Sequence, residues 1–177
     1  FKQFDGVDIP IWLKHDDAIK QYGRIWEIFL SYVIKLRAKK VLEFGTRDGY
    51  STRLFSEFLK FTEGHLWTVD LADHKIKEED LKEMTNVTFI KEDIMKLEWE
   101  KDVDILYIDD WHECFHLYAE LEKFARFAKV ILIHDIVQEW PHNTGIMRAL
   151  MSWCHKEFQP YMIYPLNACG LAVIERG

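Results

Sequence analysis

Acidic and imidazole side chains in this 177-residue chain gather at the ends of short apolar runs, a placement that suggests chemistry before any fold is drawn. Tyr107-Ile108-Asp109-Asp110-Trp111-His112 closes one such run, and Ile133-His134-Asp135 closes another. Buried apolar segments rarely end in charge without a use. If the two runs lie side by side, Asp109 and Asp135 sit near each other. With His112 or His134 they can hold one divalent ion, or act as acid and base. Two carboxylates plus waters would satisfy Mg²⁺, a hard cation that takes oxygen ligands. The alternative is local: Asp109 or Asp110 caps the next helix, and His134 is a satisfied buried imidazole.

A third run leads into Glu43-Phe44-Gly45-Thr46-Arg47-Asp48-Gly49-Tyr50-Ser51-Thr52. Gly45 permits a backbone turn that a side chain would block, and Gly49 lets a ligand approach the following helix. Ser51 and Thr52 offer hydroxyls at that helix's N-terminus. The pyrophosphate fingerprint G-x-G-x-x-G is not met, because residue 47 is Arg and Gly49 is followed by Tyr50. Glu43 inside the run suits a cationic ligand such as a sulfonium or an amine. Asp70 ends the next run, where a carboxylate can accept hydrogen bonds from both hydroxyls of a ribose. Asp93 follows a further run and can receive an exocyclic adenine amine, with Ile94 packing on the ring.

These residues need a scaffold that brings strand ends together. Apolar runs predict strands over 41–45, 66–70, 86–91, 103–108 and 130–133, with a closing pair over 161–164 and 171–174. Between them, 3.6-residue periodicity predicts helices over 51–61, 76–84 and 113–127. Another carries Ile146, Met147, Leu150 and Trp153, with Asn143 or Thr144 as its cap. A first helix runs from Asp16 through Ile19, Tyr22, Trp26, Phe29, Val33 and Leu36 towards Lys39–Lys40. Alternation of this kind predicts a single α/β domain. Residues 1–38 form an N-terminal segment and helix, and 39–177 form a mostly parallel, seven-stranded sheet with helices on both faces. Ligands of such sheets bind at the carboxyl ends of the strands, where the residues above lie.

Composition narrows the partners. Hydrophobic residues make up 49% and charged residues 30%, which supports a real core. The formal charge of −7, with no basic block, disfavours nucleic acid. No apolar run is long enough to span a membrane. Cys114, Cys154 and Cys169 are odd in number and lack metal-type spacing, which predicts reduced thiols and a cytoplasmic setting. No signal-peptide pattern is visible, and a chain opening on Phe1 implies native residues before it.

Taken as an ordered set, these residues resemble the class I S-adenosylmethionine-dependent methyltransferases over about residues 38 to 175. Val41 to Thr46 with Gly49 to Thr52 is similar to their first motif, in the E-x-G-x-x-x-G-x-S form. The resemblance implies a Rossmann-like sheet with a reversed last strand. It implies S-adenosyl-L-methionine held by Glu43, Gly45, Thr46, Gly49, Ser51, Thr52, Asp70, Asp93, Ile94 and Asp109. Glu43 would fix the glycine turn and the amino end of the cofactor.

Ile108 to His112, a helix with Glu120, and Ile133 to Ile136 resemble the macrocin-type and sugar-modifying small-molecule O-methyltransferases, whose strand-four motif is I-D-G-D-H. Asp109 and His112 match it; Asp110 stands for the glycine and Trp111 for the second aspartate. The implied roles are His112, His134 and Asp135 in catalysis, Asp109 and Asp135 on Mg²⁺, and a small-molecule acceptor. A neighbouring subunit of a homo-oligomer would help to close so short a chain's pocket. The competing readings are an NAD(P)-binding Rossmann enzyme, a metal-dependent hydrolase, and a non-catalytic binding protein of the same shape.

Overall fold

Short runs rich in Val, Ile, Leu and Phe build the sheet, and their alternation decides which helix layer each residue meets. The computed structural model describes residues 25–71, 82–137, 145–165 and 169–176. Strands β1 (Lys40–Phe44), β2 (His65–Asp70), β3 (Val87–Lys91), β4 (Val103–Ile108), β5 (Ala128–His134), β6 (Tyr161–Tyr164) and β7 (Leu171–Glu175) form one sheet. Its order is β3-β2-β1-β4-β5-β7-β6. β1 to β5 pair in parallel, and β7 runs antiparallel to both β5 and β6. This is the reversed closing strand expected from the sequence.

Helices α1 (Ile25–Leu36), α2 (Tyr50–Lys60), α3 (Cys114–Phe124) and α4 (Ile146–Lys156) cover the two faces. Successive side chains of a strand point to opposite faces. Val41, Ile105, Tyr107, Val130 and Leu132 therefore join Phe29 of α1 and Phe55 of α2 in one apolar layer. Leu42, Phe44, Leu106, Ile131 and Ile133 join Leu121 of α3 and Leu150 of α4 in the other. The strand order reverses at β1, which pairs with β2 on one side and β4 on the other. In open sheets of this kind, such a reversal is where ligands bind, outside the carboxyl ends of the strands.

The boundaries differ from expectation in three places. The helix expected over 113–127 stops at Phe124 and tightens into a 3₁₀ turn, Ala125–Phe127. β5 begins early, because Ala128 already pairs with Val103. Gly145, at φ 99°, holds the N-cap of α4 without a side-chain bond, and the expected caps, Asn143 and Thr144, lie outside the described residues. The start of the first predicted helix, most of the 76–84 helix and the 140–144 loop lie outside the described residues. No described helix is long and apolar enough to cross a membrane.

Gly45 is the tightest point. Its φ is +91°, and a Cβ there would stand 2.3 Å from the Asp109 carbonyl oxygen. Gly45→Ala should therefore destabilise the fold by roughly 2–5 kcal/mol, combining left-handed strain with a backbone collision. Urea unfolding checks this, and a change below about 1 kcal/mol would mean the two backbones can part cheaply.

Candidate active site

Backbone geometry makes the first half of the site. After β1 the chain bends, and Gly45, Arg47 and Gly49 all take positive φ, at 91°, 42° and 74°. Such a bend turns successive N–H groups inward, a shape that ordinarily receives an anion. Here the anion is Asp70, whose Oδ2 accepts from the N–H of Thr46 at 3.0 Å and of Arg47 at 2.9 Å. Gly45 N–H donates to Val69 O at 2.9 Å, and Thr46 and Thr68 share a hydroxyl hydrogen bond of 2.6 Å. Gly49 caps α2 through its backbone only, with no side chain on the first-turn N–H groups.

Glu43 lies beneath this bend. It shares the α2-facing side of β1 with Val41, between its cross-strand neighbours Thr68 and Tyr107. It is fully buried, and Thr52 Oγ1 donates to its Oε2 at 2.6 Å. Its Oε1 has no hydrogen-bond partner. Burial pushes its carboxyl up to about 7, helped by the nearby charge of Asp109 and opposed by the hydroxyls of Ser51, Thr52 and Thr68.

Asp93 and Ile94 follow β3. Asp93 accepts from the Met95 N–H at 3.0 Å and lies 3.6 Å from the Lys96 ammonium, so it already shapes its own turn. Ile94 is almost wholly buried in the α3-side core.

The second half of the site is a cluster of four charged side chains above β4 and β5. The parallel register sets Ile108 beside Ile133, so the following residues meet. His134 Nδ1 is 3.0 Å from Asp109 Oδ1 and 3.2 Å from Asp135 Oδ1. His112 Nε2 reaches across from the loop, 3.5 Å from Asp109 and 3.4 Å from Asp135. Asp135 adopts φ 55°, a left-handed conformation that Asp tolerates better than most side chains.

Burial opposes charge on both imidazoles, but the adjoining carboxylates prevail and hold His112 and His134 above the usual histidine range. Burial would raise Asp109, yet the two histidines keep it well below the usual carboxylate range. The side chain of His112 is 28% exposed and that of His134 only 6%, so the His112 ring is the more open of the two, although its Nε2 is buried. Asp109, His112 and Asp135 present ligand atoms within 4.8 Å of one another, a set compatible with one divalent ion. The capping half of the local alternative fails, because α3 starts at Cys114 with Glu113 as its N-cap, while His134 is buried and hydrogen-bonded through Nδ1 to Asp109, as the other half expects.

Several neighbours escaped sequence reading. Tyr107 OH donates to Asp109 Oδ2 at 3.0 Å; its place two residues earlier on the same strand face was the available signal. Cys169 lies beside Asp135, and burial followed by that carboxylate pushes its thiol up to about 12. All three cysteines are free. Asp110, His116 and Glu120 form a further group of possible metal ligands. The i,i+4 spacing of the last two was legible.

No protein-family model and no curated protein matches the chain. Solved structures do. An O-methyltransferase from Bacillus cereus in complex with SAH is 14% identical, with a TM-score of 0.73 over 98% of this chain and 94% of its own. An SAH-bound methyltransferase from Podospora anserina is 16% identical, with a TM-score of 0.70 over 98% and 92%. The N-methyltransferase NodS from Bradyrhizobium japonicum is 12% identical, with a TM-score of 0.61 over 88% and 98%. At these identities the likeness is one of fold: the chain has the class I methyltransferase architecture.

A carboxyl raised from 4.5 to about 7 makes the folded state hold a proton that the unfolded state releases. Its stabilisation is complete below pH 4.5 and is lost as pH rises through 7. Wild-type protein should therefore lose up to about 3 kcal/mol relative to Glu43→Gln between pH 4.5 and 7.5. Urea midpoints across that range test it; parallel curves would show that Glu43 ionises freely in the fold.

Proposed function

We propose that this chain is an S-adenosylmethionine-dependent methyltransferase acting on a hydroxyl of a small-molecule acceptor. The observation that carries the reading is the bend at 45–49. Its inward N–H groups already hold Asp70, and Glu43 lies buried beneath with one oxygen unpartnered. An acid-lined bend of this kind repels a pyrophosphate, which argues against the dinucleotide reading. It suits a ligand that is neutral at its ribose and cationic at its other end. The architecture, shared with SAH-bound methyltransferases, supports the same reading.

When bound, the cofactor supplies a sulfonium methyl open to in-line attack. The chain's own residues do the rest. A carboxylate accepts several hydrogen bonds at once, so Asp70 can serve the ribose hydroxyls while still bracing the bend. Glu43, with Thr52, Gly45 and Gly49, sets the shape of the floor. Asp93 and Ile94 would border the adenine. Alignment of acceptor and methyl supplies most of the rate.

His112 is the base for the acceptor hydroxyl, since its ring is the more open of the two imidazoles. Asp109, Asp135 and His134 orient it and stabilise its charge. Because those carboxylates favour its protonated form, the rise of activity with pH should fall above the usual histidine range.

One observation favours a variant of this mechanism. The ligand atoms of Asp109, His112 and Asp135 converge within 4.8 Å. Mg²⁺ held there would lower the pKa of the acceptor hydroxyl.

Titration calorimetry with S-adenosylhomocysteine is the primary test. We expect saturable binding, weakened at least ~10-fold by Asp70→Ala; a flat titration, with no rise in melting temperature, would end the proposal. Turnover of the methyl donor over a panel of phenolic and sugar hydroxyl acceptors tests the chemistry. His112→Ala should lower kcat by about 10²–10⁴ and abolish the pH limb, with cofactor affinity nearly unchanged. Full activity in that variant would remove His112 from the reaction. Loss of activity in EDTA, restored by Mg²⁺, would favour the metal-assisted variant.

A further inference from the structure

Beyond the cluster at Asp109 and Asp135, the described residues hold another convergence of metal-competent side chains, on the α3 side of the same loop. His116 and Glu120 are four residues apart on α3, so they share one helix face a turn apart. Asp110 meets them from the β4–α3 loop. His116 Nε2 lies 2.9 Å from Asp110 Oδ2 and 3.6 Å from Glu120 Oε1. The ligand atoms of the three residues all fall within 4.8 Å of one another. Donor atoms around a tetrahedral zinc ion, at bonds of about 2.0–2.1 Å, stand roughly 3.3 Å apart, and the two measured distances bracket that spacing.

Glu120 points independently to a ligand. Its side chain is 0% exposed, and neither of its oxygens has a hydrogen-bond partner. A buried carboxyl whose oxygens make no hydrogen bond, and whose nearest cationic partner is His116 at 3.6 Å, is a costly group for a core to carry. Its neighbours on α3, Leu117 and Leu121, are core residues, and an apolar side chain at 120 would avoid the cost. A cation seated between Glu120, His116 and Asp110 removes it. Asp110 and His116 keep 14% and 23% of their side chains exposed, which leaves a route in from solvent and a position for water.

We infer that Asp110, His116 and Glu120 form a second divalent-metal site, suited to Zn²⁺ and distinct from the Asp109–His112–Asp135 cluster. One imidazole and two carboxylates are a donor set that zinc accepts readily. The ion would tie the β4–α3 loop to α3. It would thereby hold His112 in place, as a positioning element that takes no part in bond making. This inference stands whether or not the chain transfers methyl groups.

The test uses metal-stripped protein, ZnCl₂ as the probe, titration calorimetry and metal analysis by mass spectrometry. Zinc at the other cluster is removed from the reading by working in His112→Ala/Asp135→Asn protein. That protein should bind one Zn²⁺ per chain. Adding Glu120→Gln and His116→Gln should weaken the binding at least ~100-fold, with circular dichroism of the metal-free protein unchanged. No zinc binding in the double variant, or undiminished binding in the quadruple variant, overturns the site and leaves a hydrogen-bonded cluster only. If the double variant does not fold, anomalous diffraction from zinc-soaked wild-type crystals decides. A peak between Glu120 and His116 supports the site, and its absence there overturns it.

Discussion

The close approach of two backbones, at Gly45 and Asp109, governs the rest of the site. Phe44 O accepts from the Asp109 N–H at 2.9 Å, and the Gly45 N–H donates to Val69 O at 2.9 Å. The ends of β2, β1 and β4 are thus stitched into one rim. Any side chain at 45 would strike Asp109 O, so the contact exists only because the residue is glycine. Its consequence is functional. The bend that would hold a cofactor and the loop that carries His112 cannot drift apart, since they touch through main chain. A reaction that depends on alignment between two bound partners gains most from such a rim.

Charge balance explains why so many acids can share this rim. Four carboxylates, Glu43, Asp70, Asp109 and Asp135, end or follow adjacent strands, and each is handled differently. Asp70 is held by the bend's N–H groups. Asp109 accepts from Tyr107 and lies, like Asp135, beside His134 and His112. Glu43 is held by the Thr52 hydroxyl, and burial raises it towards neutrality. A positively charged ligand group beside Glu43 would favour its ionised form, so ligand binding and Glu43 ionisation are linked. The same balance sets a cost at the second pair of strands. The carboxylates that hold His112 also favour its protonated form, so the groups that place it as a base oppose its acting as one.

Much of the fold was legible because strand and helix periods differ so clearly here. β4 is apolar but for Asp104, and Val103–Ile108 falls where the sequence puts it. The meeting of Asp109, His112, His134 and Asp135 was legible too, because strand ends in a parallel sheet collect on one edge. Boundaries were harder. The sequence ends the helix at Phe127 and starts the strand at Val130, but pairing with β4 already draws Ala128 into β5. The α4 cap was misplaced because a glycine with positive φ needs no side-chain signal. The role of Asp70 was only half visible. Its position at the end of β2 could be read, whereas its grip on the N–H groups of residues 46 and 47 depends on the turn's φ values.

The departures from the I-D-G-D-H pattern now have a physical account. Residues that follow one another at a strand end point to opposite sides. Asp109 turns towards β5 and its histidines, and Asp110 turns towards α3 and His116. A glycine at 110 could not make the bond to His116, so the acid at this position commits the loop to α3. Trp111, where an acid would stand in the pattern, is 63% exposed, and Phe115 is 89% exposed. The carboxylate has in effect moved one residue earlier and crossed to the other face of the loop, and His116 and Glu120 on α3 meet it there. A loop pinned on one side by Gly45 and on the other by α3 has little freedom, and His112 is the side chain whose position depends on that restriction.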